Sequence, residues 1–193
     1  FEQGILKPQD EARFNTLSGL LTVRRSEAGL EMDFPAEPEH EISPPPVMLK
    51  ALGVPPVYTG QNRMDILVRA ESADMVRNAN PDMKTLAEIP VRGFIVTAPS
   101  DDPQYDFISR FFAPRDGITE DPVTGSAHCC LGPHWQKDLG KDRLQAYQAS
   151  QRGGHVDVEC RGDRVLLRGE AVTVFSGELH ESSSQQRLSN VHI

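Results

Sequence analysis

Hydrophobic and polar positions follow two different rhythms along this chain. Leu30, Met32 and Phe34 alternate with Glu31 and Asp33, the period-2 mark of a strand buried on one face. The run 20–25 leads into the turn-forming Ser26-Glu27-Ala28-Gly29, so residues 14–34 are expected to form a β-hairpin. Residues 47–52 suggest a short helix, stopped by Gly53 and the Pro55-Pro56 pair. A strand is expected over 63–70, helical patterns over 71–78 and 81–88, and strongly apolar strands over 91–98 and 105–113, the last carrying Phe107, Phe111 and Phe112.

The strongest helical pattern lies at 125–139. Ala127, Cys130, Leu131, Trp135 and Leu139 fall at i, i+3, i+4, i+8 and i+12, which wraps far enough around the cylinder to predict a helix buried on much of its surface. Gly132-Pro133 interrupts it, and because an interior proline costs about 3 kcal/mol and one backbone hydrogen bond, a kink is expected there. Short strands follow at 143–149, 155–160, 164–168 and 170–179, punctuated by Gly153-Gly154, Arg161-Gly162-Asp163 and Gly169. Residues 35–46 place Pro35, Pro38, Pro44, Pro45 and Pro46 among Glu37, Glu39 and Glu41, which reads as a linker with a domain boundary near residue 40. From Glu181 onward the chain is polar and rich in Ser and Gln, the composition of a loose tail at 181–193. Many short strands with one well-buried helix, and no internal repeat, indicate an α+β fold.

Composition narrows the partners. With 193 residues and 38% apolar residues the chain can bury a core as one domain or two small ones. A formal charge of −8 argues against nucleic acid, which requires clustered Lys and Arg; the one basic doublet, Arg24-Arg25, sits in a strand pattern. No apolar run approaches the roughly 20 residues of a membrane span, and no signal-peptide pattern is visible. Cys129, Cys130 and Cys160 are an odd, sparse set, better suited to a reducing, cytoplasmic setting than to a disulfide framework.

The chemistry concentrates in Glu120-Asp121-Pro122-Val123-Thr124-Gly125-Ser126-Ala127-His128. These residues bring an acid pair to the expected start of the 125–139 helix, where unpaired N–H groups and partial positive charge make a cradle for a carboxylate or oxyanion. Asp121 has two readings, a helix cap or Asp-Pro turn, or a carboxylate that exchanges protons with a substrate held at the helix start. Glu120 reads as its exposed or structural neighbour. Gly125 lets a ligand approach the backbone, and Thr124 and Ser126 offer capping or ligand-binding hydroxyls; the spacing is not that of a G-x-S-x-G nucleophile elbow. His128, Cys129, Cys130 and His134 lack any metal-ligand spacing, so no metal is expected. Arg152-Gly153-Gly154 reads first as a turn and second as a carboxylate contact.

Three stretches carry a resemblance: Phe107-x-Ser109-Arg110-x-Phe112-x-Pro114, the 120–128 segment, and Tyr147-Gln148-x-Ser150-x-Arg152-Gly153-Gly154. Together with the 14–34 hairpin and the ending Val174-Phe175-Ser176-Gly177-Glu178-Leu179, they closely resemble the PhzF family of phenazine-biosynthesis-like isomerases, over residues 13 to 179. The resemblance implies a diaminopimelate-epimerase-like fold of two lobes, each a β-sheet curled around a central helix, with the active site between them. It implies cofactor-free proton transfer on a small anionic substrate, with Asp121 as the catalytic carboxylate and Thr124, Gly125 and Ser126 binding substrate, and it is compatible with a homodimer.

Members of the family begin with a segment that this sequence lacks, which carries the main proton-transfer glutamate; none of the glutamates here matches that motif. The organisation expected from the resemblance is therefore one complete lobe plus part of another. Residues 1–40 would be a remnant of the first lobe (a helix end at Phe1 to Gly4 and the hairpin), residues 41–170 the second lobe, and residues 171–180 a strand returning to the first. The alternative is a catalytically inactive, truncated homologue acting as a binding or interaction protein.

Overall fold

The computed structural model describes residues 1, 4–17, 19–27, 29–175 and 177. Strands β1 (Glu11–Thr16), β2 (Gly19–Ser26) and β3 (Gly29–Pro35) form an antiparallel meander, followed by β4 (His40–Glu41), α1 (Pro46–Leu52), β5 (Tyr58–Gln61) and β6 (Asp65–Arg69). Helices α2 (Ala73–Arg77) and α3 (Met83–Ala87) lead to β7 (Gly93–Pro99) and β8 (Phe107–Phe112). After a 3-10 turn at Pro114–Asp116 come α4 (Gly125–Leu139), β9 (Arg143–Gln148), β10 (Gly154–Arg161) and β11 (Arg164–Gly169). All eleven strands join one sheet in the order β1-β2-β3-β11-β10-β9-β8-β7-β6-β5-β4.

Only β6–β7 and β8–β9 are parallel pairs, and the strands between them, β7 and β8, are antiparallel. Crossovers between parallel neighbours are right-handed. Two such crossovers that advance the same way across the sheet on oppositely directed strands must lie on opposite faces. Accordingly α1, α2 and α3 pack Met48, Leu52, Val76 and Leu86 against Ile66, Val68, Phe94, Val96 and Phe112 on one face. Helix α4 packs Ala127, Leu131 and Trp135 against Leu67, Ile95, Phe107, Phe111, Val158 and Leu167 on the other. Strands β6 to β8 are thus buried on both faces, which is why they read as continuous apolar runs and not as alternation.

Helix α4 is unbroken across Gly132-Pro133. Pro133 has no N–H to give the Cys129 carbonyl one turn back; that carbonyl accepts instead from the Glu37 N–H at 3.0 Å. Gly132 serves a close approach, since a Cβ there would stand 3.0 Å from Val158 Cγ1 and 3.1 Å from Cys160 Sγ. The burial of α4 is confined to its first three turns, Ala127 to Trp135, and Leu139 is 41% exposed, outside the apolar seam in which the sequence pattern placed it.

The proline-rich stretch 35–46 is a strap bound along the sheet and α4. The Ala36 N–H donates to the Asp163 carbonyl (2.8 Å) and the Ile42 N–H to that of Thr59 (3.0 Å). Glu39 is nearly buried against α4, with His134 Nδ1 2.7 Å from its Oε1. Burial, the largest single influence, would raise the Glu39 carboxyl, but the His134 hydrogen bond, a backbone hydrogen bond, the His134 charge and the Cys130 thiol together outweigh it and hold the group below the usual range.

The meander continues this sheet through β3–β11, with Glu31 opposite Arg168 and Met32 opposite Leu167. Gly29 at φ +102° is required there, because a Cβ would meet the Gly169 carbonyl oxygen at 2.5 Å. The strand expected over 170–179 is not formed at 170–175. Val172, Val174 and Phe175 are exposed, with no neighbouring strand among the described residues to pair them, and residues 176 and 178–179 lie outside those described. At the start, residues 4–10 form bends and turns; residues 2 and 3 of the helix end expected at Phe1 to Gly4 lie outside the described residues, as does the expected tail 181–193. No helix among the described residues is long and apolar enough to cross a membrane.

Candidate active site

Strand β8 delivers the site. Arg110 projects from it to the α1–α3 side, where its guanidinium stacks on Phe112 and donates to the carbonyls of Arg77 (3.0 Å), the last residue of α2, and Ala79 (2.7 Å) just after it. The same guanidinium grips Glu120 through both oxygens, at 2.7 and 3.0 Å. Glu120 is therefore an anchor that ties the 120–124 turn to β8. The next residue, Asp121, is pinned by its N–H to the Phe111 carbonyl at 3.0 Å.

Asp121 then turns toward α4. Its Oδ2 accepts a hydrogen bond from the Thr124 hydroxyl, leaving Oδ1 without a hydrogen-bond partner among the described residues. Thr124 is the residue preceding the helix, in extended conformation, and its side chain does not cap the helix. Among the described residues, no hydrogen bond reaches the N–H groups of Gly125, Ser126 or Ala127, and the Ser126 hydroxyl also lacks a partner. A fifteen-residue helix with no acidic residue in its first turn thus presents its open, partially positive end beside the Asp121 carboxylate. A Cβ on Gly125 would find only Leu167 Cδ1, at an ordinary 3.6 Å, so no neighbouring atom requires glycine there; its absence of side chain keeps the backbone approachable.

Two side chains from the β9 end hold the turn from behind. Gln148 is fully buried and bonds both ends of it: Oε1 accepts from the Thr124 N–H (2.8 Å), and Nε2 donates to the Asp121 carbonyl (2.7 Å) and to Thr124 Oγ1 (3.1 Å). Ser150 donates to the Pro122 carbonyl at 2.8 Å and accepts from the Gly153 N–H at 3.1 Å. Gly153 takes its φ of +71° beside the Tyr147 ring, where a Cβ would stand 2.3 Å from the hydroxyl oxygen. The 148–154 loop thus braces the Asp-Pro turn. Arg152, exposed in that loop, makes no contact with it among the described hydrogen bonds and ion pairs.

The structure therefore brings together Asp121, Thr124, Gly125 and Ser126, but sorts them differently from the sequence pattern. Gly125 and Ser126 present free donors. Thr124 is buried, with both N–H and hydroxyl already engaged, so it orients Asp121 and has no donor left for a ligand. Gln148 was visible only within the family-like motif, because nothing in local periodicity marks a buried glutamine as the brace of a turn 24 residues earlier.

Behind this edge, His128, Cys129 and Cys130 of α4 are buried. Burial pushes His128 down to about 4, so it is neutral, and its Nδ1–H donates to the Thr124 carbonyl at 2.8 Å. Burial pushes the Cys129 thiol up to about 12 and raises Cys130 further, so neither supplies a thiolate. Among the described residues no three His, Cys, Asp or Glu side chains are grouped to hold a metal ion.

A family model described as phenazine biosynthesis-like protein (PhzC-PhzF) matches residues 1–177. An uncharacterized isomerase of Halalkalibacterium halodurans is 48% identical over 167 residues, covering 86% of this chain and 63% of the relative. An uncharacterized isomerase of Pseudomonas aeruginosa is 44% identical, covering 91% of this chain and 67% of the relative. The chain therefore spans about two thirds of the length of these curated relatives. Among solved structures, a PhzF family protein of Enterococcus faecalis superposes with a TM-score of 0.84 at 34% identity, covering 93% of this chain and 68% of that one. A predicted epimerase from Pseudomonas aeruginosa, at 16% identity and a TM-score of 0.53, shares the fold.

Proposed function

This chain belongs to the PhzC-PhzF family of phenazine biosynthesis-like proteins, and we propose that it supplies one wall of a cofactor-independent isomerase site that moves a proton on a small carboxylate-bearing molecule. The observation that carries this is the juxtaposition of a held carboxylate with an open helix end. Asp121 is aimed by the Thr124 hydroxyl next to a first turn of α4 whose N–H groups are unused. A proton abstracted from carbon leaves negative charge on the substrate, and a preorganised set of backbone donors stabilises that charge without reorganising. Asp121 takes or returns the proton, while the Gly125 and Ser126 N–H groups and the Ser126 hydroxyl hold the substrate carboxylate or the developing enolate-like charge.

The proposal concerns the whole protein. No glutamate of this chain matches the family's proton-transfer motif, so Asp121 acts with a group from outside these residues. The isomerase names of the relatives support this reading over that of an inactive binding protein. The test is deuterium incorporation from heavy water into a panel of small unsaturated carboxylic acids, followed by mass spectrometry with the full-length protein. An acid that the wild type labels is expected to exchange about 10²–10⁴-fold more slowly with Asp121→Asn. Exchange at the wild-type rate in that variant refutes the role.

A further inference from the structure

The hydrogen bonds around Gln148 have a direction that the backbone dictates. The Thr124 N–H can only donate, so the Gln148 atom 2.8 Å away is Oε1; the Asp121 main-chain carbonyl can only accept, so the atom 2.7 Å from it is Nε2. That orientation spends one Nε2 hydrogen on the Asp121 carbonyl and leaves the second for Thr124 Oγ1, at 3.1 Å. An amide nitrogen does not accept, so Thr124 Oγ1 is the acceptor in this contact. Its own proton must then point elsewhere, and the acceptor in reach is Asp121 Oδ2. The sequence of donation is fixed as Gln148 to Thr124 to Asp121.

We propose that this relay makes Asp121 Oδ2 a standing acceptor and assigns the moving proton to Oδ1, with Gln148 and Thr124 as positioning residues. The inference rests on the reading of Asp121 as the proton-transfer carboxylate and adds which of its oxygens acts. A proton arriving at Oδ2 would have to displace the Thr124 hydroxyl, which cannot turn back on Gln148 because Nε2 offers only hydrogens. Oδ1, free of partners among the described residues, has no such conflict. Gln148 is suited to this task because it is wholly buried and both Nε2 hydrogens are donated, one to the Asp121 carbonyl and one to Thr124 Oγ1, while Oε1 accepts from the Thr124 N–H. A brace that merely pinned the turn would not need its hydrogen bonds to run in one direction. A relay does, because a hydroxyl donated to a carboxylate favours the charged form.

The test is an NMR titration of the Asp121 carboxyl carbon in the full-length protein labelled at aspartate carboxyls, with the signal assigned by its loss in Asp121→Asn. Thr124→Val removes the donated proton and keeps the side-chain shape, Thr124→Ser keeps the hydroxyl, and Gln148→Glu replaces the Nε2 donor with an acceptor. Thr124→Val is expected to raise the Asp121 midpoint by about one pH unit relative to wild type, the size of one hydrogen bond to a charged group. Thr124→Ser should restore it to within a few tenths of a unit; Gln148→Glu should raise it as well, both because the Thr124 hydroxyl can then turn toward residue 148 and because the new carboxylate repels the charge of Asp121, so the two Thr124 variants carry the distinction. Wild-type midpoints in folded Thr124→Val and Gln148→Glu, or an equal rise in Thr124→Ser and Thr124→Val, overturn the relay. If Gln148→Glu does not fold, the two Thr124 variants decide the matter alone.

The readout needs no substrate, so the two ideas fail separately. A raised midpoint in Thr124→Val alongside full deuterium exchange in Asp121→Asn sinks the isomerase role and leaves the relay. An unmoved midpoint alongside an inactive Asp121→Asn does the reverse.

Discussion

Around α4 the sheet is covered on both sides. Trp135 is fully buried, stacked on Phe107 at 5.5 Å between ring centroids, with its indole N–H bonded to Thr97 Oγ1 at 3.1 Å. Along the meander the same sheet goes on, but the covering stops: Phe14 is 52% exposed and Leu30 and Met32 are only half-buried. Met32 and Phe34 reach the edge of the α4 core; the polar part of the attachment lies on the opposite face. Arg24, Glu31 and Arg168 stand directly across from one another on β2, β3 and β11, and Arg168 bonds both Glu31 and Glu159 at 2.5 Å. One region is held by apolar packing between layers, the other by backbone pairing and a charged ladder. The proposed chemistry sits in the first, where a 1 Å drift of a carboxylate would matter.

This contrast can be broken from either side. Trp135→Ala empties the α4 seam and should destabilise the protein by about 3–5 kcal/mol, whereas Phe14→Ala should cost under about 1 kcal/mol; denaturant unfolding of the two variants side by side measures the difference. Arg168→Met leaves Glu31 and Glu159 largely buried without their shared partner, for an expected loss of about 2 kcal/mol.

Acid should distinguish the regions too. The Arg168 hydrogen bond holds Glu159 down to about 2. Glu31 is also lowered, since bonds from Arg24 and Arg168 outweigh the effect of its burial. A depressed carboxylate contributes its stability above the unfolded value and loses it as pH falls through the folded one. The ladder should therefore weaken as pH drops from the ordinary value near 4.5 toward about 2. Hydrogen exchange, corrected for intrinsic rates, should show the β2 and β3 amides opening before those of β7 and β8.

A smaller effect is expected at the strap. Glu37→Pro removes the N–H that satisfies the Cys129 carbonyl and should cost about 1–2 kcal/mol beyond Glu37→Ala, which removes only the side chain and its exposed pairing with Arg63. Least of all should be Asp121→Asn, within about 0.5 kcal/mol of wild type in the same unfolding assay, because an asparagine oxygen still accepts from Thr124.

Much of this was legible in the sequence where a pattern is local. The 125–139 periodicity located α4, the period-2 run at 30–34 located β3, and the acids before Gly125 marked the turn that Arg110 and Gln148 hold at the start of α4. Where partners are distant, the sequence misled. Pro133 reads as a lost hydrogen bond until Glu37, 96 positions earlier in the chain, is seen donating its N–H to the Cys129 carbonyl. The prolines of 35–46 read as a linker because composition cannot reveal that the strap's N–H groups and the Glu39 carboxylate are spoken for. The apolar residues Val172, Val174 and Phe175 look like part of a strand, but no strand is formed at 170–175. Thr124 was legible as a hydroxyl near a helix start, not as one already committed to Asp121, and Gln148 had no local signal at all.

The measurement closest to the central claim, that Asp121 and the start of α4 form one anion-handling edge, is an amide NMR titration of the full-length protein with benzoate. Saturable shifts should be largest at Gly125, Ser126 and Ala127, whose N–H groups are open, and should leave the amides of Arg24 and Arg168 in the charged ladder near their starting positions. Shifts concentrated on those arginines, with the α4 start unmoved, would contradict the claim.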